Sequence, residues 1–183
     1  MTTATAPVAL LERAVGFTRQ ALYDATSTPL SAPTPCPAWQ LGDLLEHMAD
    51  GLEAFTEASS GFVSLEAPDL GTNRLDALRG KACALLSAWS APTAHTVLVH
   101  DQALHVEVLL RVAAVEITVH GWDVSRAAGT RQQVPDALAH DLLPAAHLLL
   151  ESADRPGLFA PALEPSYDAG PGERLLARLG RRA

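Results

Sequence analysis

The chain has few of the residues that mark secreted or membrane-spanning proteins. Its 183 residues include two cysteines, Cys36 and Cys83, which are too few for a disulfide scaffold and make a reducing cytoplasm the expected compartment. A single disulfide between Cys36 and Cys83 remains an alternative. Residues 1–11 lack the positive region of a signal peptide, and no apolar run approaches the roughly 20 residues that a membrane-spanning helix needs.

Basic charge and aromatic rings are also scarce. Lys81 is the only lysine, and the formal net charge is −8. Nucleic acids and anionic membranes bind through clustered basic surface, so neither is expected as the main partner. Aromatic residues make up 5% of the chain, while Ala and Leu dominate, which favours helices over a β-sandwich.

Several common catalytic motifs are missing as well. The sequence contains no Gly-Xaa-Ser-Xaa-Gly nucleophile elbow, no Walker phosphate-binding loop, no His-Glu-Xaa-Xaa-His and no Cys-Xaa-Xaa-Cys. These absences narrow the choice of chemistry without identifying one.

The apolar pattern predicts a single all-α domain over residues 1–183. Helices are predicted over residues 8–25, 41–58, 73–89, from about 103 past 120, 135–152 and 172–179. Four prolines make residues 27–38 a stiff extended loop, and Pro144 is expected to bend or break the fifth helix. Loops or short extended segments are predicted at 61–71, 96–99 and 158–163.

Glu116 and His120 stand four residues apart in the long fourth helix. On a helix such residues are neighbours, with Cβ atoms about 5–6 Å apart, so both side chains can bind one metal ion. On a strand they would lie about 13 Å apart, at roughly 3.3 Å per residue. The β-branched residues around Ile117 alternate as in a strand. However, the absence of Gly and Pro over residues 103–120 and the C-cap candidate Gly129 favour the helix.

A helical wheel places Glu116 and His120 on the face that is expected to be least exposed to water. The opposite, polar stripe contains Glu107, Arg111, Thr118 and Ser125. A buried carboxylate is costly unless it is paired or bound to a metal. Two interpretations therefore stay open for this helix: an internal Glu–His hydrogen bond within the core, or a metal site.

His47 is the best candidate for a third ligand. It lies on the predicted second helix, in line with the small residues Gly51 and Ala54, which would let another helix come close. His105 shares the fourth helix but lies about 16 Å from Glu116 along the axis, at roughly 1.5 Å per residue. Two imidazoles and one carboxylate leave coordination positions open, as catalytic zinc sites do.

Other residues near these candidates have simpler expected roles. Cys36 is expected to be a small buried side chain that fills space in the core rather than a metal ligand. Trp39 and Trp122 are expected to pack in the core. Asp123 is expected to bond a metal-bound imidazole, the backbone or an arginine. Arg126 is the candidate for contacting a cofactor or anionic substrate, with a surface salt bridge as the alternative. A solvated helix end is predicted for Arg174, Arg178, Arg181 and Arg182.

Three stretches together resemble a known family. They are residues 34–47, which contain TPCPAW and DLLEH, residues 119–129, VHGWDVSRAAG, and residues 173–181, ERLLARLGR. They resemble the mycothiol-dependent maleylpyruvate isomerase-like family of metal-binding proteins, within the DinB-like superfamily. The similarity spans nearly the whole chain.

The resemblance implies a four-helix bundle that holds a divalent metal, usually zinc, through His47, Glu116 and His120. It also implies mycothiol as a thiol co-substrate that approaches the metal as a thiolate, a form that a cation favours. Addition to an activated double bond, rotation and elimination would complete an isomerisation, and related proteins perform thiol transfer. The isomerase carries a further C-terminal domain that contributes to its substrate site, whereas only a short segment follows His120 here, so the resemblance does not identify the substrate as maleylpyruvate.

The sequence therefore predicts a metal-binding helical bundle whose partners are a small thiol and an unidentified small molecule. Two rivals stay open. One is a metal-dependent hydrolase, in which the ion activates water. The other is a non-catalytic metal-binding or stress-response protein. A homodimer is a further possibility for an apolar bundle.

Overall fold

The computed structural model describes residues 6–37, 39–61, 63, 74–90, 95–99, 102–151 and 160–183, and their regular structure is almost entirely helical. The helices are α1 (Pro7–Asp24), α2 (Leu41–Glu57), α3 (Arg74–Ala88), α4 (Val106–Ala127), α5 (Asp136–Glu151) and α6 (Pro171–Arg178). Strands β1 (Thr96–Val99) and β2 (Gln102–His105) pair antiparallel in a small sheet. The prediction of an all-α bundle is confirmed. Within these residues, no helix is long and apolar enough to cross a bilayer.

Helix α4 is the centre of the bundle. It packs against α1, α2 and α5, while α3 packs against α1 and α2, and α6 packs against α5. Fully or almost fully buried leucines come from each of the six helices: Leu10, Leu45, Leu78, Leu110, Leu142 and Leu175. Burying each such side chain stabilises the fold by about 1.5–3 kcal/mol before entropy is counted.

The crossing of α1 and α4 is unusually close at Gly121. A Cβ atom at this glycine would lie 2.3 Å from Thr18 Oγ1 on α1. The Thr18 hydroxyl donates a hydrogen bond to the Ile117 carbonyl oxygen at 2.7 Å, one turn earlier on α4. Only glycine leaves room for this approach, and the contact fixes the position of α4 beside His120.

The structure departs from several predicted boundaries. Helix α4 begins at Val106 rather than near residue 103, because Gln102–His105 pairs with β1. The possible extended segment at residues 96–99 is strand β1. Helix α5 continues through Pro144, so the proline does not break it. The predicted loop at 61–71 lies largely outside the described residues, as do 158–159, and residues 160–163 form no strand.

The predicted polar face of α4 is wrong in the second half of the helix. Thr118 and Ser125, expected on the solvent side, are fully buried. Glu116, expected on the least exposed face, keeps 23% of its side-chain surface exposed. The reason is that α1, α2 and α5 all pack against α4. A helix enclosed in this way has no single inner face.

Candidate metal centre

His47 from α2 meets Glu116 and His120 from α4. One potential ligand atom from each residue lies within 4.8 Å of those of the other two. Glu116 Oε2 is 3.2 Å from His120 Nε2, and the two imidazole centroids are 4.9 Å apart in an edge-to-face arrangement. Two ligands of one tetrahedral zinc ion lie roughly 3.3 Å apart, given bond lengths of about 2.0–2.1 Å. The Glu116–His120 distance therefore suits both interpretations that the sequence leaves open, a direct hydrogen bond between the two side chains and two ligands of one ion.

Local hydrogen bonds hold the start of α2, which carries His47. The Gln40 backbone N–H donates to Asp43 Oδ2 at 2.9 Å, which caps the helix. The next two backbone N–H groups, those of Leu41 and Gly42, donate to carbonyl oxygens of the proline-rich loop at 2.8 Å each. The loop and the helix thus form one unit, which places His47 opposite α4.

Trp39 forms one wall of the candidate centre. Its ring centroid lies 4.9 Å from that of His47 and 6.4 Å from that of His120, and the side chain is half-buried. A turn holds it there: its backbone N–H donates to the Cys36 carbonyl at 3.1 Å, and Thr34 Oγ1 donates to the Trp39 carbonyl at 2.9 Å. Core packing is the role that the sequence predicts for Trp39, and its contact with the two histidines emerges only in the tertiary structure.

The second nitrogen of His120 faces a buried carboxylate. His120 Nδ1 is 3.1 Å from Oδ2 of Asp123, whose side chain is completely buried. An ionised carboxylate only accepts hydrogen bonds, so Nδ1 is the donor in this pair. This arrangement turns Nε2 toward Glu116, on the side where His47 lies. Asp123 thus bonds both an imidazole and an arginine, Arg181, two of the partners that the sequence left open.

The surroundings of the two histidines shift their pKa values in opposite directions. Burial lowers the pKa of His120, but hydrogen bonds to Asp123, Cys36 and Glu116 outweigh it and hold the pKa well above its usual value. Burial raises the pKa of Asp123, yet the hydrogen bonds from His120 and Arg181 bring it below its usual value. The pKa of His47 is lowered, first by burial and then by the positive charge of His120. Without metal, these opposite pKa shifts favour the neutral form of His47 and the protonated form of His120.

Cys36, His120 and Asp123 form a second group that has the residue types of a metal site. The guanidinium of Arg181 already lies between Cys36 and Asp123, where a metal ion would bind. Arg181 Nη2 donates to Asp123 Oδ2 at 2.9 Å and to Cys36 Sγ at 3.0 Å. The positive charge that Asp123 needs is thus supplied by the protein itself, and the group that includes His47 remains the candidate centre. Cys36 is buried, as predicted, and lies on the Nδ1 side of His120.

The predicted solvated arginine cluster is wrong for Arg181. Arg174 and Arg182 are exposed, but Arg181 is only 4% exposed and points into the bundle. The sequence does hold a signal for this burial. Gly180 follows the last helix, and a glycine at this position commonly ends a helix and turns the chain back toward it.

Arg126 packs on Trp122, one turn earlier on α4. Its guanidinium carbon lies 4.9 Å from the centroid of the Trp122 ring. It follows His120 by about 9 Å along the axis of α4, at roughly 1.5 Å per residue. A role for Arg126 in binding a cofactor stays a prediction.

Comparison with known proteins connects this geometry to a family. Residues 11–125 match the family described as the mycothiol maleylpyruvate isomerase N-terminal domain. The chain belongs to this DinB-like family. The match confirms the resemblance seen in the sequence. Its span includes His47, Glu116 and His120 and ends before Arg126 and Arg181.

Two Mycobacterium tuberculosis proteins are similar along almost the whole chain. They are "Uncharacterized protein MT0763" of strain CDC 1551 / Oshkosh and "Uncharacterized protein Rv0738" of strain ATCC 25618 / H37Rv. Each is 26% identical over 179 residues, which cover 96% of this chain and 97% of the relative. The similarity thus continues well past residue 125, into the segment that contains α5 and α6.

Proposed function

We propose that this protein binds a divalent metal, with zinc as the leading candidate, through His47, Glu116 and His120, and that the bound metal activates a small thiol. The observation that carries the proposal is the meeting of these three side chains from two helices. Membership of the family suggests a mycothiol-related, isomerase-like function, and mycothiol is therefore the proposed thiol.

The donor set suits zinc. Two imidazole nitrogens and one carboxylate oxygen are the ligands of many catalytic zinc sites, in which a further position is open to water or substrate. Cys36 lies at the opposite nitrogen of His120, beside Asp123, so it is not placed to add a thiolate to this set. Glu116 is partly exposed and His47 is half-buried, which leaves the centre accessible from solvent. An accessible centre of this kind favours a catalytic metal over a purely structural one.

Each side chain has a separate role in the proposed centre. Asp123 holds the Nδ1 proton of His120, so Nε2 is the nitrogen that would bind the ion. Burial keeps His47 neutral, with a free electron pair, and Glu116 supplies negative charge. Trp39 covers one side of the two imidazoles. A bound divalent cation would favour the thiolate form of a thiol at its open position, which raises the nucleophile fraction at neutral pH.

The proposed reaction class is thiol-dependent isomerisation or thiol transfer. In an isomerisation, the thiol sulfur adds to an activated double bond, the new single bond rotates, and elimination restores both the double bond and the thiol. In a transfer, the thioether product is retained instead. We place this activity in a single-domain protein of a reducing cytoplasm, where the free thiols of Cys36 and Cys83 are stable.

Zinc stoichiometry tests the ligand set. The variants are His47→Ala and Glu116→Gln, with His140→Ala as a matched control because His140 is exposed on α5. After dialysis against a weak chelator, elemental analysis is expected to find about one zinc ion per chain in the parent and the control. Much less is expected in the two ligand variants. Undiminished zinc in His47→Ala would remove His47 from the centre.

Thiol dependence tests the chemistry. The zinc-loaded protein is incubated with electrophilic double-bond compounds, and separately with esters and amides, in the presence and absence of mycothiol. The proposal expects turnover of the double-bond compounds only when mycothiol is present. Turnover of esters or amides without thiol would instead indicate a metal-activated water.

A further inference from the structure

Arg181 reaches the interior through the turn that ends α6. Gly180 has a φ of +76°, its N–H donates to the Ala177 carbonyl at 3.0 Å, and the Arg181 N–H donates to the Leu176 carbonyl at 2.8 Å. These two bonds are those of a Schellman motif, which reverses the chain direction after a helix. The reversal carries the Arg181 side chain back into the bundle instead of into solvent.

Inside the bundle, Arg181 holds both oxygens of one carboxylate. Its Nε donates to Asp123 Oδ1 at 3.3 Å, and its Nη2 donates to Asp123 Oδ2 at 2.9 Å. The same Nη2 lies 3.0 Å from Cys36 Sγ, and Nη1 donates to the Leu179 carbonyl at 2.8 Å. A two-pronged contact of this kind restricts the carboxylate in both position and rotation.

Asp123, held in this way, in turn restricts the orientation of the His120 ring. The oxygen that Arg181 Nη2 holds, Oδ2, is the one that accepts from His120 Nδ1 at 3.1 Å. With Nδ1 held there, the other nitrogen, Nε2, lies 3.2 Å from Glu116 Oε2. A rotation of the imidazole ring would break the bond to Asp123 and turn Nε2 away from Glu116.

We propose that Arg181 is a positioning residue for the candidate metal centre. By fixing Asp123, it fixes the ring of His120 so that Nε2 faces Glu116 and His47. The inference rests on the proposed metal centre, and it adds to that centre a residue beyond the span that matches the family, residues 11–125. Groups that orient a metal-bound histidine typically contribute about 10–100-fold to metal affinity.

The test compares Arg181→Met, Asp123→Asn and the double variant, with Arg182→Met as the matched control because Arg182 is the exposed next residue. The zinc dissociation constant is measured by competition with a chromophoric chelator. Each single variant is expected to weaken zinc binding about 10–100-fold. The double variant is expected to be no weaker than the weaker-binding single variant, because Arg181 acts through Asp123. Arg182→Met is expected to bind as the parent does.

Arg181→Met removes a buried positive charge and could therefore unfold the protein. Arg181→Lys is the second variant, in which zinc affinity can then still be measured. Lysine retains the positive charge but lacks the planar fork that holds both carboxylate oxygens. We expect Arg181→Lys to be folded by circular dichroism and still to bind zinc several-fold more weakly than the parent. Parent-like zinc affinity in folded Arg181→Lys and Arg181→Met would overturn the proposal, as would fully additive losses in the double variant.

A metal-free measurement separates this inference from the proposed function. Nitrogen–proton correlation spectra of the imidazole groups report whether the Nδ1 proton of His120 is held in a fixed hydrogen bond. In the metal-free parent we expect a fixed proton on Nδ1, and in Arg181→Lys a shifted or exchange-broadened signal. If the parent binds no zinc, the proposed function fails, and the positioning role is then judged by these spectra. Unchanged His120 signals in folded Arg181→Lys would overturn it.

Discussion

Gly121→Ala is the sharpest test of how the bundle holds the candidate centre. The added Cβ would lie 2.3 Å from Thr18 Oγ1, 2.9 Å from Thr18 Cβ and 3.0 Å from Thr18 Cα. Rotation of the threonine side chain relieves the first contact but not the other two, so α1 and α4 must move apart. Such overpacking costs about 1–3 kcal/mol.

Two smaller effects also change the free energy of unfolding of Gly121→Ala, and they cancel each other. Separation of the helices weakens the hydrogen bond from Thr18 to the Ile117 carbonyl, a loss of about 1 kcal/mol. Alanine is favoured over glycine in a helix interior by about 1 kcal/mol, which offsets this loss. We therefore expect Gly121→Ala to lower the free energy of unfolding by about 1–3 kcal/mol. Zinc affinity in the folded variant should also fall, because His120 is the preceding residue.

The assay is urea unfolding of the metal-free protein, followed by far-ultraviolet circular dichroism. Gly16→Ala is the matched control, because Gly16 is exposed on α1 and a Cβ there meets no atom within 4 Å. This control is expected to gain up to about 1 kcal/mol from helix propensity alone. If Gly121→Ala proved as stabilising as Gly16→Ala, the close approach of α1 and α4 would be refuted. In a Thr18→Ala background, the cost of Gly121→Ala should become smaller.

Four further predictions follow from the contacts and charges in the described part of the chain. Zinc binding to His120 must displace the Nε2 proton. We therefore expect the apparent zinc affinity to rise about tenfold per pH unit from pH 6.5 up to the raised pKa of His120. Chelator competition measures this affinity, and a value that stays constant between pH 6.5 and 8 would contradict the prediction. Without metal, the stabilisation from His120 protonation should be complete below pH 6.5 and be lost as the pH rises through the raised pKa, which urea unfolding at several pH values measures. Trp89→Phe removes the bond that Trp89 Nε1 donates to the Phe55 carbonyl at 2.8 Å, and we expect a loss of about 1–2 kcal/mol in urea unfolding with no change in zinc affinity. Zinc at about one hundred times its dissociation constant should add about 2.7 kcal/mol of stability, so an identical melting temperature with and without chelator would indicate that no metal binds the folded state.

Local patterns in the sequence determined the helices and the main candidate pair. The run from residue 103 to 120 without Gly or Pro predicts a helix, and a spacing of four residues then puts Glu116 beside His120. The structure shows this contact at 3.2 Å. His47 followed from its position on a second helix and from the family resemblance. The contact between Glu116 and His120 could be predicted because helical neighbours are set by a repeat of about 3.6 residues, whatever the rest of the fold does. The ligand roles of these residues and of His47 stay predictions.

Only the tertiary structure decided how the neighbourhood of His120 is completed. Arg181 meets Asp123 from 58 residues away, and Cys36 meets it from 87 residues away. No local period predicts contacts at such separations. Likewise, Thr118 and Ser125 looked solvent-facing on a wheel, yet they are buried because several helices enclose α4. Burial of a side chain depends on which elements surround it, and that arrangement belongs to the packed bundle rather than to any single segment.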